Sequence, residues 1–309
     1  MKSAHHSCAE NQRSATAYAE YQIFVKRKHA PPRLRIYHTM PSQPRSYSSE
    51  GIILRHMPVG EADRIVSIFS PIYGKIRAAA KGSRKVTSSL AGSADVLVRS
   101  DFAFARGRDL DIMTQAVIKE RFEYLRDSPW HGAAALTVAE CIDRSLEDGY
   151  QFRAIYALTL DTLRRLNTDA EIWLSPEHEQ RVECGPNGKG WAALRYFELR
   201  LMDAFGYRPE FTTCVNCGAE LFPTENNGFN AALGGALCPQ CLRVSTRTLP
   251  LIVLKILRFM QRTDWNALPV MRIDPVVRND VEHILRALFT AHFEHTLRSW
   301  QLLDECRRA

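Results

Sequence analysis

Gly51-Ile52-Ile53-Leu54-Arg55-His56-Met57 and, a few residues on, Arg64-Ile65-Val66-Ser67-Ile68-Phe69 are the stretch on which the fold turns. Both runs are short and rich in β-branched residues, which sit well on a pleated surface. Ser70-Pro71-Ile72-Tyr73-Gly74 then has Pro and Gly where a tight turn wants them, and Lys75 to Ala80 returns from it, so the spacing predicts a hairpin. Working outward, Val96, Val98, Phe102 and Phe104 share one face of a further strand, with Arg99 and Asp101 on the other. That period of two marks a half-buried strand. Leu110 to Ile118 supplies a fifth. Five short strands split by Gly-containing loops suit a small closed barrel such as an OB-fold, and an SH3-like barrel gives much the same pattern.

From about Pro129 the period becomes helical. Residues 131–147 and 150–166 read as helices broken at Asp148-Gly149, residues 168–188 as a loop, and 191–205 as a helix ending near Gly206. Leu251–Arg262 is apolar on most sides and reads as a buried helix. Val281, Ile284, Leu285, Leu288, Phe289, His292 and Phe293 recur at three and four residues, the stripe of an amphipathic helix. The expected fold class is therefore α+β and multidomain. A disordered basic extension (1–45) precedes an OB-fold domain (46–127). An all-helical domain (128–309) follows, with a four-cysteine zinc knuckle inserted at about 211–244.

Cys214-Val215-Asn216-Cys217 is followed after 20 residues by Cys238-Pro239-Gln240-Cys241. Each C-x-x-C turn can bring two sulfurs to one ion, and four thiolates complete a tetrahedron with no open position. The pattern predicts one structural zinc and argues against catalysis at that ion. The remaining cysteines stand alone, and Cys141 reads as core.

The 309 residues are 45% hydrophobic and 24% charged, the composition of an ordinary globular protein. No apolar run reaches the roughly 20 residues of a membrane span, and the N-terminus lacks a secretory pattern. The expected location is the cytoplasm, in association with the nucleoid, where thiols stay reduced. The net charge of +7 is concentrated in residues 1–45, which hold eight Lys/Arg against two acids. The case for nucleic acid must therefore come from local clustering. Between Asp63 and Asp95 there is no acidic residue, while Lys75, Arg77, Lys81, Arg84 and Lys85 all lie in that interval. Gly82 and Ser83 make 81–85 read as a mobile loop leaving the third strand. On an OB-like barrel this strand and loop would border the oligonucleotide groove and neutralise phosphates. Tyr73 is the candidate for base stacking, whereas Phe102 and Phe104 read as core.

No enzyme motif is present. Gly185-Pro186-Asn187-Gly188-Lys189-Gly190 has the wrong spacing for a phosphate loop, and neither H-E-x-x-H nor G-x-S-x-G occurs. His292-x-x-His295 falls on an apolar stripe and reads as packing. The expectation is a protein without catalytic turnover.

Glu50-Gly51-Ile52-Ile53-Leu54-Arg55, Gly60-Glu61-Ala62-Asp63-Arg64-Ile65-Val66 and Gly74-Lys75-Ile76-Arg77-Ala78 with Lys81-Gly82 resemble the opening of the RecO recombination mediators. So do Phe205-Gly206-Tyr207-Arg208-Pro209 ahead of the first cysteine pair, and Leu297-Arg298-Ser299. The resemblance covers about residues 46–305. It implies DNA repair and homologous recombination: binding of single- and double-stranded DNA and annealing of complementary strands. It also implies work with RecR to load RecA onto strands coated by single-strand-binding protein, whose acidic, apolar C-terminal tail would meet the helical domain. Carried over by position, the implied DNA contacts are Lys75, Arg77, Lys81, Arg84 and Lys85. The competing reading is a zinc-ribbon adaptor that acts through protein contacts with little DNA binding.

Overall fold

Alternating residues 46–120 fold into β1 (Ser46–Val59), β2 (Asp63–Ser70), β3 (Gly74–Ala80), β4 (Arg99–Ala105) and β5 (Asp111–Glu120). In this computed structural model, residues 44–146, 152–175, 184–245 and 247–308 are described. The extension expected over residues 1–45 lies almost wholly outside them. The strands close into a barrel in the order β1-β2-β3-β5-β4, as expected of an OB-like fold. Closure removes the open edges that a five-stranded sheet would otherwise expose.

β1 makes closure possible by pairing with β2 along one part and with β4 along the other. A bulge between Ile53 and Arg55 bends it between the two partners. Gly51 sits where β1 crosses the barrel floor: a Cβ there would lie 2.5 Å from Ile68 Cγ2 and 3.0 Å from the Phe69 carbonyl. At the β2–β3 turn, Ser70 Oγ accepts from the N–H groups of Ile72 and Tyr73, and Gly74 takes φ +67°. The predicted hairpin is thus built by side-chain-to-backbone bonds and one left-handed glycine. Val96 and Val98 precede β4 instead of lying in it. Leu97 between them has φ +68°, which breaks the extended run. Leu97 N–H and Val98 O nevertheless bond Ile53 of β1.

Among the described residues, a single helical turn at Tyr124–Asp127 is followed by six longer helices: α1 (Pro129–Ser145), α2 (Arg153–Leu174), α3 (Lys189–Ala204), α4 (Leu251–Arg262), α5 (Pro275–Phe293) and α6 (Arg298–Arg308). α2 runs into the first part of the segment expected to be a loop (168–188) and ends at Leu174; residues 176–183 of that segment, and the break expected at Asp148-Gly149, lie outside the described residues. The loop reading rests on Pro176, Gly185, Pro186 and Gly188, all beyond the helix end; within α2, Asp169 is buried and accepts from His131 Nε2 at 2.9 Å and from the Gly185 N–H at 2.6 Å. Tertiary partners outweigh its local preference. The cysteine-bearing insert holds a small antiparallel sheet that sequence pattern did not show: β6 (Asn227–Asn230) at the centre, β7 (Gly235–Leu237) and β8 (Arg247–Leu249) beside it.

The barrel keeps an interior of its own, with Ile53, Val66, Ile68, Phe102, Phe104 and Met113 buried; the two phenylalanines are core as expected. Its outer residues Ile52, Leu54, Phe69 and Leu97 belong instead to the cluster that contains Trp130, Val138, Ile142 and Ile155 of the helices. Arg45–Ala309 accordingly forms one compact unit. A polar seam reinforces the junction: Glu50 accepts from Arg99 and from Tyr156 of α2, while Glu120 accepts from Arg99 and from Arg164 of α2. Among the described residues, no helix is long and apolar enough to cross a membrane.

Candidate metal centre and nucleic-acid interface

Each cysteine pair sits on a turn whose backbone bonds fix it. In the first, the Cys214 N–H donates to the Ala219 carbonyl at 2.7 Å and the Gly218 N–H donates to Cys214 O at 2.8 Å, with Gly218 at φ +75°. In the second, the Cys241 N–H donates to Cys238 O at 2.9 Å, opening a short 3-10 helix over Pro239–Val244. The Val215 N–H donates to Ala236 O, which docks the first turn on β7. Arg258 of α4 braces the same turn from behind, its Nε on Phe211 O and its Nη2 on Leu221 O.

These contacts bring all four sulfurs within 4.8 Å of one another, Cys217 and Cys238 at 3.7 Å. A tetrahedron with metal–sulfur bonds of about 2.3 Å has edges of about 3.8 Å, so the quartet fits a single ion. Three of the cysteines are buried and Cys217 is exposed. Burial pushes the Cys214 thiol up, but backbone N–H groups of Cys238, Cys217 and Asn216 outweigh it and hold the group at about 6. Asn216 Nδ2 donates to Cys241 Sγ at 3.2 Å. The four cysteines could hold a metal ion, and with four sulfur donors the ion would keep no site for substrate.

The expected DNA-contact residues fall on the β2–β3 side of the barrel in two groups. Arg77, Lys81, Arg84 and Lys85 are exposed. The loop carrying the last three is tied down: the Gly82 N–H donates to Asp63 Oδ1 at 2.8 Å, the Arg84 N–H to Ala62 O, and Arg84 Nη1 to Gly60 O. The β1–β2 and β3–β4 loops therefore form one basic tip. Lys75 stands apart. Its side chain is 14% exposed and its Nζ donates to Asp143 O at the end of α1, at 2.9 Å. Tyr73 is half-buried, its ring 4.7 Å from that of Tyr47, which stacks on Phe104.

Strand register adds cations that lie outside the acid-free interval. Arg55 of β1 pairs with Ser67 of β2, which pairs with Arg77 of β3, so the three residues share one outward row. β5 begins beside β3 at Ala78↔Asp111, which brings the exposed Arg106 and Arg108 of the β4–β5 loop alongside. A strict alternation count hints that Arg55 points outward, but only pairing shows whom it faces.

Between barrel and helices runs a groove formed by two adjoining cavities of about 330 and 410 Å³ that share His56, Val96 and Leu136. Leu54, Leu97, Phe122 and Leu125 give it an apolar floor. Arg121, Arg126, Arg144 and Arg298 stand exposed on its rim and make no ion pair among the described residues.

A family model described as "Recombination protein O N terminal" matches residues 45–122, which is the barrel. A second, "Recombination protein O C terminal", matches residues 184–301, which include the cysteine insert. The DNA repair protein RecO of Roseiflexus sp. is 37% identical over 266 residues, covering 85% of this chain and 87% of that one. The protein of the same name from Pelotomaculum thermopropionicum is 31% identical over 267 residues, covering 85% and 95%. That of Dehalococcoides mccartyi is 29% identical over 270 residues, covering 87% and 99%.

Proposed function

The chain belongs to the RecO family of DNA repair and recombination proteins, and from that premise we propose that it is a recombination mediator that binds DNA and anneals complementary strands without catalytic turnover. The observation that carries this reading is the basic tip on the barrel, with Arg77, Lys81, Arg84 and Lys85 exposed. Phosphate neutralisation by such a surface is independent of sequence and lets two strands approach each other. Single- and double-stranded DNA are both ligands of this kind. Lys75 would support the surface from below, through its bond to α1.

RecR is the proposed partner in loading RecA onto strands coated by single-strand-binding protein. The groove supports the contact with that protein's acidic, apolar C-terminal tail: an apolar floor takes the apolar side chains and four arginines without an ion pair among the described residues take the carboxylates. The metal held by Cys214, Cys217, Cys238 and Cys241 is proposed to be one structural zinc, because a closed all-sulfur set suits zinc and leaves nothing for catalysis.

The experiment is annealing of two complementary oligonucleotides precoated with single-strand-binding protein. Wild type is compared with a variant carrying Ala at Lys75, Arg77, Lys81, Arg84 and Lys85. Acceleration by wild type and its loss in the variant is the expected result. Acceleration by both would move the DNA surface elsewhere on the chain. Acceleration by neither would leave the zinc-ribbon adaptor as the better reading.

A further inference from the structure

The last turn of α1 carries Asp143 onto the outer face of the barrel, against the row formed by Arg55, Ser67 and Arg77. Asp143 Oδ1 accepts from Ser67 Oγ at 2.8 Å, and Oδ2 lies 3.3 Å from Arg55 Nε. Lys75 Nζ is 3.9 Å from Oδ1 while it donates to the Asp143 carbonyl. A hydroxyl, a guanidinium and an ammonium converging on one anionic group is the donor set that proteins use to hold a nucleic-acid phosphate. Here a carboxylate of the same chain fills it.

The members of this cluster differ in their access to water. Ser67 is 6% exposed and the Asp143 side chain 11%, so the carboxylate is well held. The Arg55 side chain is 61% exposed and makes no other ion pair among the described residues. An ion pair with one partner so open contributes little to stability. Its electrostatic consequence is larger than its energetic one: it neutralises a cation at the edge of the barrel's basic face, in the same outward row as Arg77 with Ser67 between them.

We infer that Arg55, Ser67 and Lys75 form a phosphate subsite of the DNA face that the Asp143 carboxylate fills in cis, so that Asp143 withholds Arg55 from DNA and lowers the barrel's affinity. The inference rests on the DNA-binding reading above. Asp143 is a regulating contact in it, and the ligand is the backbone phosphate of single-stranded DNA. The contact also joins the barrel to α1, so a change in the seating of α1 would expose or hide one phosphate contact.

The test is Asp143→Asn in the full chain. It keeps the size and the acceptor for Ser67 and removes the charge. Binding of oligothymidylate is measured across a salt series, with a thermal melt to confirm folding. The variant should bind about 3–10-fold more tightly at low salt, and the plot of log affinity against log salt should steepen by about 0.7, the single-strand value for one added phosphate contact. Arg55→Gln added to Asp143→Asn should cancel both gains. An unchanged or shallower slope in the folded variant, or a gain that persists without Arg55, overturns the inference. Arg55→Gln alone gives an independent reading should Asp143→Asn fail to fold. With Arg55 already withheld, its loss should leave the wild-type slope within about 0.2, whereas a drop of about 0.7 means that Arg55 already serves DNA and Asp143 masks nothing. If wild type shows no salt-dependent binding at all, the DNA-binding reading itself fails, a result distinct from either slope.

Discussion

Glu50 takes three donors at once: Arg99 Nη2 at 2.8 Å, Lys119 Nζ at 3.2 Å and Tyr156 Oη at 2.7 Å. Burial alone would raise its carboxyl, but the bonds from Arg99, Tyr156 and Lys119 outweigh burial and hold it at about 2, against an ordinary 4.5. A depressed carboxylate stabilises the fold above its unfolded value and stops doing so as pH falls towards the folded value. Glu50→Gln should therefore cost about 1–2 kcal/mol near neutral pH, a deficit that closes as pH drops from about 4.5 to about 2. Urea melts across that range measure it. The cysteines make a second prediction at this scale. Ser at both Cys214 and Cys238 should abolish stoichiometric zinc in atomic absorption and lower the melting temperature, because metal binding and local folding are coupled. A wild type that purifies without metal, and whose melt is unchanged by both substitutions, would refute the site. The quartet was legible in the sequence because its ligands come as two local pairs of a distinctive residue type. Glu50 was not, since its partners lie 49, 69 and 106 positions away.

Elements were read best where their signals are local. The Phe205-Gly206-Tyr207 segment ends α3 as a Schellman cap: the Tyr207 N–H donates to Met202 O at 2.8 Å and the Gly206 N–H to Asp203 O at 3.0 Å. Gly206 has φ +79°, and a Cβ there would touch nothing within 4 Å. Gly206→Ala should thus cost about 1–2 kcal/mol through backbone strain alone, with no loss of packing. A melt that drops by much more would mean that the position serves a contact the cap does not explain. The extra length of α2 and the sheet β7-β6-β8 escaped pattern reading for different reasons. Asp169 keeps its helix because His131 and Gly185 meet it. The insert's strands are only three or four residues long, too short to show a period.

Across the whole molecule, the barrel and the helices share a core. Ile52, Leu54, Phe69 and Leu97 are buried only because α1, α2 and their neighbours cover them. A fragment ending at Asp127 should expose these side chains, bind a hydrophobic dye and melt without a sharp transition. The full chain should melt residues 45–309 as one cooperative unit. A cooperative melt of the fragment would show instead that the interior around Ile53, Ile68 and Phe104 suffices. The groove, the Asp143 contact and the edge of the basic face all lie along that shared junction.

The sequence by itself determined the barrel, the helical second half and the cysteine quartet that could hold a metal. Periods of two and of three to four residues, and paired cysteines, express forces that act within a few residues of chain. It also marked Arg77, Lys81, Arg84 and Lys85 as a basic group, since charge is read without knowing a fold. Only the tertiary structure decided that Lys75 turns towards α1 while Arg55 joins the outward row. It alone set Asp143 against that row and opened a groove between barrel and helices. Those features depend on strand register and on packing between segments some 70 to 90 positions apart, and a side chain's partner across that distance is fixed by closure of the core.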